Sequence, residues 1–254
     1  MYLLFDAALH FPLNSQGQPL LLPELPPGVQ VITRARVNPE VTAVRVSDVT
    51  AAALATQALA TQAFATQTAS AREWFDDPLI ARAVGLLVAH ERGGFDPADG
   101  SPPAWDASGA FARGASDRPV FPRIDPCVIG VVEHVDGDRI LLGENRRRPG
   151  YFTCIAGYMD VGERAEDAFV REVLEETGRR IGDVAYVGSQ PWPLSGSLML
   201  GFFARTEDED AVGETDGELS RIIWATRADL GQLSLAPEGS IARQLIGRWA
   251  AGEL

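Results

Sequence analysis

The stretch Gly157-Tyr158-Met159-Asp160-Val161-Gly162-Glu163, followed after seven residues by Arg171-Glu172-Val173-Leu174-Glu175-Glu176-Thr177-Gly178, decides the reading of this chain. Residues 165–177 predict a helix free of breakers. On it Glu172, Glu175 and Glu176 stand at i, i+3 and i+4, one face and one turn apart. Three carboxylates so placed repel one another, and a solvated helix would dilute them with basic residues. A hard cation relieves the conflict, because magnesium and manganese prefer carboxylate oxygens and bridge to phosphate oxygens. Glu163, just before the helix, can pair with Arg171 and hold the loop against it. Gly157 and Gly162 are read as allowing a tight loop, and Gly178 as a helix C-cap. The plainer alternative, an acidic amphipathic helix without metal, suits the three glutamates alone but not the glycines, Glu163 and Arg171 at fixed offsets.

The flanks of this stretch read as mixed α and β. Strands are expected at 126–132 and 139–142 around the turn Asp136-Gly137-Asp138, then at 184–187, 198–204 and 222–224, with a closing helix over 240–251. Upstream, residues 93–120 are rich in Gly, Pro, Asp, Ser and Ala and form a loop-rich connector. They divide an N-terminal α/β domain, 1–92, from a catalytic domain, 121–254. Residues 1–48 carry short β-branched runs broken by proline and glycine. An imperfect Ala-Thr-Gln-Ala-Leu/Phe repeat over 49–70 predicts a helix, continued by an amphipathic helix over 71–92. No catalytic constellation is visible in the N-terminal domain.

Composition excludes several classes of function. The chain has 254 residues and a net charge of −13, which disfavours broad adhesion to nucleic acid or anionic membrane. All 22 basic residues are arginine, so no lysine can serve as a base and any cationic phosphate contact must be an arginine. Arg146, Arg147 and Arg148 form the one basic cluster near the catalytic strands. Cys127 and Cys154 lie in apolar runs and read as buried reduced thiols. With no long apolar run and no basic-then-apolar N-terminus, the expected location is the cytoplasm, with no membrane partner.

From Gly157 to Gly178 the residues match the Nudix box without a break: Gly, five residues, Glu, seven residues, Arg-Glu, an aliphatic residue, any residue, Glu-Glu, any residue, Gly. Arg179 stands where the family usually has an aliphatic residue. The resemblance implies the Nudix α/β/α sandwich with a mixed sheet, an α+β fold with the smaller α/β domain ahead of it. It also implies hydrolysis of a nucleoside diphosphate linked to another moiety. The segment Ser189-Gln190-Pro191-Trp192-Pro193-Leu194-Ser195-Gly196-Ser197-Leu198-Met199 resembles the tag of the NADH pyrophosphatase subfamily, with Leu194 for Phe and Ser195 for Pro. Phe121-Pro122-Arg123 and the segment Leu235 to Ala242 also resemble that subfamily.

This resemblance implies cleavage of NADH or NAD to nicotinamide mononucleotide and AMP, with Mg2+ or Mn2+ as cofactor. Glu172, Glu175 and Glu176 are the expected metal ligands, and Glu218 joins them by resemblance. The general base is Glu176 or Glu218. Phe121, Tyr158, Gln190, Trp192, Ser197, Met199 and Ala242 match substrate-lining positions. The subfamily forms homodimers, and removal of NAD caps from RNA is allowed because the same bond is cut. Its four-cysteine zinc ribbon is missing: Asp96 and Asp99, then Arg113 and Ser116, occupy those places, so no zinc is expected. Two alternatives stand beside this reading. One is a Nudix hydrolase acting on ADP-ribose or dinucleoside polyphosphates, the other a Nudix regulator that binds a nucleotide without cutting it.

Overall fold

A computed structural model describes residues 1–48 and 67–254, in two compact units. The first comprises Met1–Ile124 with Trp192–Gly196, the second Asp125–Pro191 with Ser197–Leu254.

In the first unit, strands β1 (Tyr2–Phe5), β2 (His10–Leu13), β3 (Val31–Arg36), β4 (Thr42–Val46) and β5 (Gln67–Ser70) precede helix α1 (Pro78–Arg92). One sheet has the order β1-β4-β3, and β2 pairs with β5. The helix expected over 49–70 lies outside the described residues for 49–66. Its last four residues are instead β5, held extended by four-residue pairing with β2. Local alanine preference yields there to a tertiary partner. The helix expected over 71–92 is also interrupted. After a 3-10 turn at Ala71–Trp74, α1 starts only at Pro78, where the Asp77 carboxylate accepts the N–H groups of Leu79 (2.8 Å) and Ile80 (3.1 Å). An aspartate N-cap followed by proline at the first helical position is a start signal. Ile80, Ala83, Val84 and Leu87 of α1 close the core over Leu3, Phe5, Phe11 and Ala43. The connector then forms three short strands, β6 (Ala104–Trp105), β7 (Ala112–Arg113) and β8 (Pro119–Val120), in one small sheet.

The second unit is built on a six-stranded mixed sheet. Its strands are β9 (Asp125–His134), β10 (Arg139–Asn145), β11 (Ile155–Tyr158), β12 (Gly182–Trp192), β13 (Ser197–Thr206) and β14 (Leu219–Thr226), in the order β12-β13-β9-β10-β14 with β11 also on β9. The β13–β9 pair is parallel, whereas β10 and β11 run antiparallel to β9. Alternate residues of β9 serve opposite faces, as the pleat requires. Val128 and Val132 pack with Ala168, Phe169 and Val173 of helix α2 (Ala165–Thr177). Ile129 and Val131 pack with Ile241, Leu245 and Trp249 of helix α3 (Ile241–Ala250). Helix, sheet and helix thus form the layered α+β sandwich. Among the described residues, no helix is long and apolar enough to cross a membrane.

Candidate active site

Helix α2 is set on the sheet by its apolar side, and the carboxylates lie at the edge of that buried face. Phe169 enters the space that Gly130 leaves open on β9, where any Cβ would collide with its ring. One turn on, Glu172 points back to β11, and its carboxyl group fills the space over Gly157. Gly157 lies within β11 and has no positive φ, so its place in the motif is a cradle rather than the tight loop expected. Gly162 (φ 84°) and Gly178 (φ 68°) do adopt the left-handed region, at the loop and at the C-cap of α2.

Arg171 is the hub of the loop. Its Nε and Nη2 donate to the two carboxylate oxygens of Glu163 at 2.8 and 2.9 Å, and Nη2 also reaches the Tyr158 carbonyl (2.9 Å). Its Nη1 bridges Glu172 Oε1 (2.7 Å) and Glu175 Oε2 (2.9 Å). The guanidinium, with a backbone N–H from Asp160, holds the Glu163 carboxyl down at about 2.

Glu176 meets the opposite surroundings. It is 3% exposed, and burial, then the charges of Glu218, Glu172 and Asp216, push its carboxyl up to about 8. The N–H of Ala156 offsets this only in part. Burial also raises Glu172, against the pull of Arg171. Glu175 is half exposed. Asp216, absent from the sequence expectations, is drawn in by its backbone N–H, which donates to the Glu175 carbonyl (2.8 Å), while its Oδ1 accepts from Glu218 N (2.8 Å). No periodicity or spacing in the acidic loop from 207 to 218 marks it out. Beside Glu218, Arg146, Arg147, Asp216 and Gly217 line a cavity of about 280 Å³.

Among the described residues, no three acidic, histidine or cysteine side chains are gathered closely enough to hold an ion as they stand. Arg171 supplies the positive charge between Glu172 and Glu175 instead. Even so, the donor set suits a hard divalent ion. All of it is carboxylate oxygen, and the buried Glu176 faces three further carboxylates. Glu172, Glu175, Glu176 and Glu218 are the residues that would hold such an ion.

The expected substrate-lining residues divide between the units. Tyr158 is 54% exposed, and its hydroxyl lies 3.1 Å from Ser197 Oγ. Gln190 is buried; its Nε2 donates to Gly239 O (2.7 Å) and its Oε1 accepts from Ile241 N (2.8 Å), so it holds the turn into α3. Met199 is half-buried and packs in the same cluster as the buried Ala242. Trp192 and Phe121 belong to the first unit. Trp192 stands edge-on to Phe75 with ring centroids 5.1 Å apart, and Phe121 is 66% exposed, its ring 6.0 Å from that of Phe111. Cys127 and Cys154 are free and buried, and burial raises both thiols to about 12.

A family profile for the NUDIX domain matches residues 125–246, the span that carries the box, its sheet, helix α2 and the start of α3. The chain belongs to the Nudix family. It is 36% identical over 191 residues to the NAD-capped RNA hydrolase NudC of Mycobacterium bovis, across 69% of this chain and 61% of that relative. It is 35% identical over 192 residues to the NAD-capped RNA hydrolase NUDT12 of Homo sapiens, across 67% of this chain and 41% of that relative. The chain thus spans less than two thirds of the curated relatives it matches. Among solved structures, a NUDIX hydrolase from Nitrosomonas europaea covers 51% of this chain and is itself covered to 90%, at 25% identity and a TM-score of 0.42.

Two of the departures from the expected pattern lie at Arg179 and in the connector. Arg179, where an aliphatic residue is usual, is almost buried; it donates to the Thr177 carbonyl (2.9 Å) and the Glu209 carbonyl (2.8 Å) and lies over the Trp224 ring. The second departure is the zinc ribbon of the resembling subfamily. Here Asp96 is 1% exposed and accepts from Ser116 Oγ (2.6 Å) and Ala98 N (2.8 Å), while Asp99 accepts from Ser101 N (2.8 Å). Arg113 donates to the Asp117 carbonyl. These side chains are committed to one another and include no thiolate, so they do not fit a zinc site.

Proposed function

We propose that this Nudix chain is a divalent-metal-dependent pyrophosphohydrolase that cuts NADH and NAD to nicotinamide mononucleotide and AMP. NAD-capped RNA is a further substrate, since the same bond is broken. One observation carries the reading: the buried Glu176 carboxyl is raised by burial and by the charges of Glu218, Glu172 and Asp216, which a divalent cation would offset. The tag from Ser189 to Met199 and the names of the relatives support the choice of dinucleotide. A bound Mg2+ or Mn2+ would neutralise the diphosphate and lower the pKa of the attacking water. Arg171 holds Glu172 and Glu175 in place, Glu163 anchors Arg171, and Glu176 or Glu218 takes the proton from water. In the second unit, Tyr158, Gln190, Ser197, Met199 and Ala242 shape the dinucleotide site. A cytoplasmic homodimer completes the reading.

The test is a substrate panel of NADH, NAD, ADP-ribose, diadenosine polyphosphate and NAD-capped RNA, with Mg2+ or Mn2+, for wild type and Glu176→Gln. AMP release from NADH and NAD should exceed that from the other small molecules, and Glu176→Gln should lower it at least about a hundredfold. Preference for ADP-ribose or dinucleoside polyphosphates would replace the proposed substrate. Binding without any product would make the chain a nucleotide-binding regulator.

A further inference from the structure

The strand pair that delivers Glu218 is irregular at one point. Down β10 and β14 the register runs from Arg139↔Thr226 to Glu144↔Arg221 without a break. It then jumps to Asn145↔Leu219, leaving Ser220 as an extra residue whose hydroxyl donates to the Glu144 carbonyl (3.0 Å). A bulge of this kind bends one strand and re-aims the side chains beyond it. Here Asn145 Nδ2 comes 2.8 Å from Glu218 Oε1.

The asparagine has one available orientation. Its Oδ1 accepts the backbone N–H of Arg147 at 2.9 Å, and that donor requires an oxygen opposite it. The amide nitrogen is therefore the group turned to Glu218. Pairing also continues past the bulge, with Arg146 N donating to Glu218 O at 3.0 Å. With Asp216 Oδ1 accepting from its N–H, Glu218 is fixed at its backbone nitrogen, its backbone oxygen and one carboxylate oxygen. Among the described residues, no hydrogen bond engages the second carboxylate oxygen.

We infer that Asn145 is a positioning residue that aims the Glu218 carboxylate at the metal site. A neutral amide suits this task. An arginine in its place would neutralise the carboxylate, as Arg171 does for Glu163, whereas the amide orients it and leaves its full charge for the cation. The inference rests on Glu218 being a metal ligand, as proposed above.

The experiment compares Asn145→Ala, Glu218→Gln and the double variant in the full chain. It reads kcat and KM on NADH, Mn2+ binding to the substrate-free protein by electron paramagnetic resonance, and thermal melting. Partners that orient metal ligands are typically worth about tenfold or more in activity or affinity. Asn145→Ala should lower kcat about tenfold with KM nearly unchanged, and weaken Mn2+ binding by a similar factor. In the Glu218→Gln background the same substitution should cost almost nothing. Equal losses in both backgrounds, or unchanged Mn2+ binding, would show that Asn145 serves only the fold. That comparison stays readable if melting falls, because both backgrounds carry the same loss. Wild-type behaviour of Asn145→Ala beside an impaired Glu218→Gln overturns the positioning role alone. Wild-type behaviour of Glu218→Gln overturns the ligand assignment beneath it.

Discussion

A Cβ on Gly157 would sit inside the carboxyl group of Glu172. This strand glycine is required by a side chain of the neighbouring helix, and any larger residue must push that carboxylate out of its bed. Gly157→Ala is therefore expected to keep the fold, since β11 has ordinary strand geometry there, yet to lower kcat by about a hundredfold through misplacement of Glu172. Circular dichroism and steady-state kinetics check it. Unaltered kcat would show that Glu172 has no part in the site.

Glu176 ties stability to pH in the metal-free protein. A carboxyl raised from 4.5 to about 8 binds more protons folded than unfolded, so its contribution falls as pH climbs through that interval. The melting temperature of chelated protein should drop by several degrees between about pH 5 and about pH 8. Glu176→Gln should flatten the drop. Added Mg2+ or Mn2+ should reverse it, because an ion that binds only the folded state stabilises that state.

Glu163 works with the opposite sign. Its carboxyl is held at about 2, below the 4.5 of the free group. Its contribution is present above about pH 4.5 and is lost as pH falls towards 2. Acid-induced melting of Glu163→Gln should show a shallower dependence over this range than wild type. The variant should also lose activity at neutral pH, because Arg171 loses its bidentate anchor. A wild-type acid limb would mean that the pair contributes nothing to stability.

The Asp96–Ser116 contact separates two kinds of metal dependence. Chelation should stop hydrolysis while leaving the melting of the connector unchanged, since Asp96, Asp99, Arg113 and Ser116 offer zinc no thiolate. Asp96→Ala, in contrast, should lower the melting temperature by several degrees by stranding the Ser116 hydroxyl and the Ala98 N–H. Loss of connector structure in chelator, followed by limited proteolysis, would contradict this.

Much of the second unit was legible because its signals are local. The helix over 165–177 and the glycine cap at Gly178 follow from breaker-free sequence and backbone chemistry, and the strands from short apolar runs beside turn residues. What escaped depends on partners distant in sequence. Gly157 reads as a loop glycine until Glu172 is seen above it. Asp216 and Asn145 reach the carboxylates only through backbone bonds between loops, which leave no periodic trace. Trp192 follows Gln190 and Pro191 in sequence, yet it belongs with Phe75, its ring partner, to the first unit. At Gln67–Ser70 strand pairing overrides composition, and at Asp77-Pro78 the cap signal lies hidden within an apolar helical pattern.

The parallel pairing of β13 with β9 sets Met199 beside Cys127, about 70 residues apart in the chain. Closing so long a loop is slow compared with forming a local helix. During synthesis α2 leaves the ribosome ahead of β13, so its glutamates wait on an unfinished platform. The proposed metal site is thus completed late, with sheet closure, after the whole box has emerged.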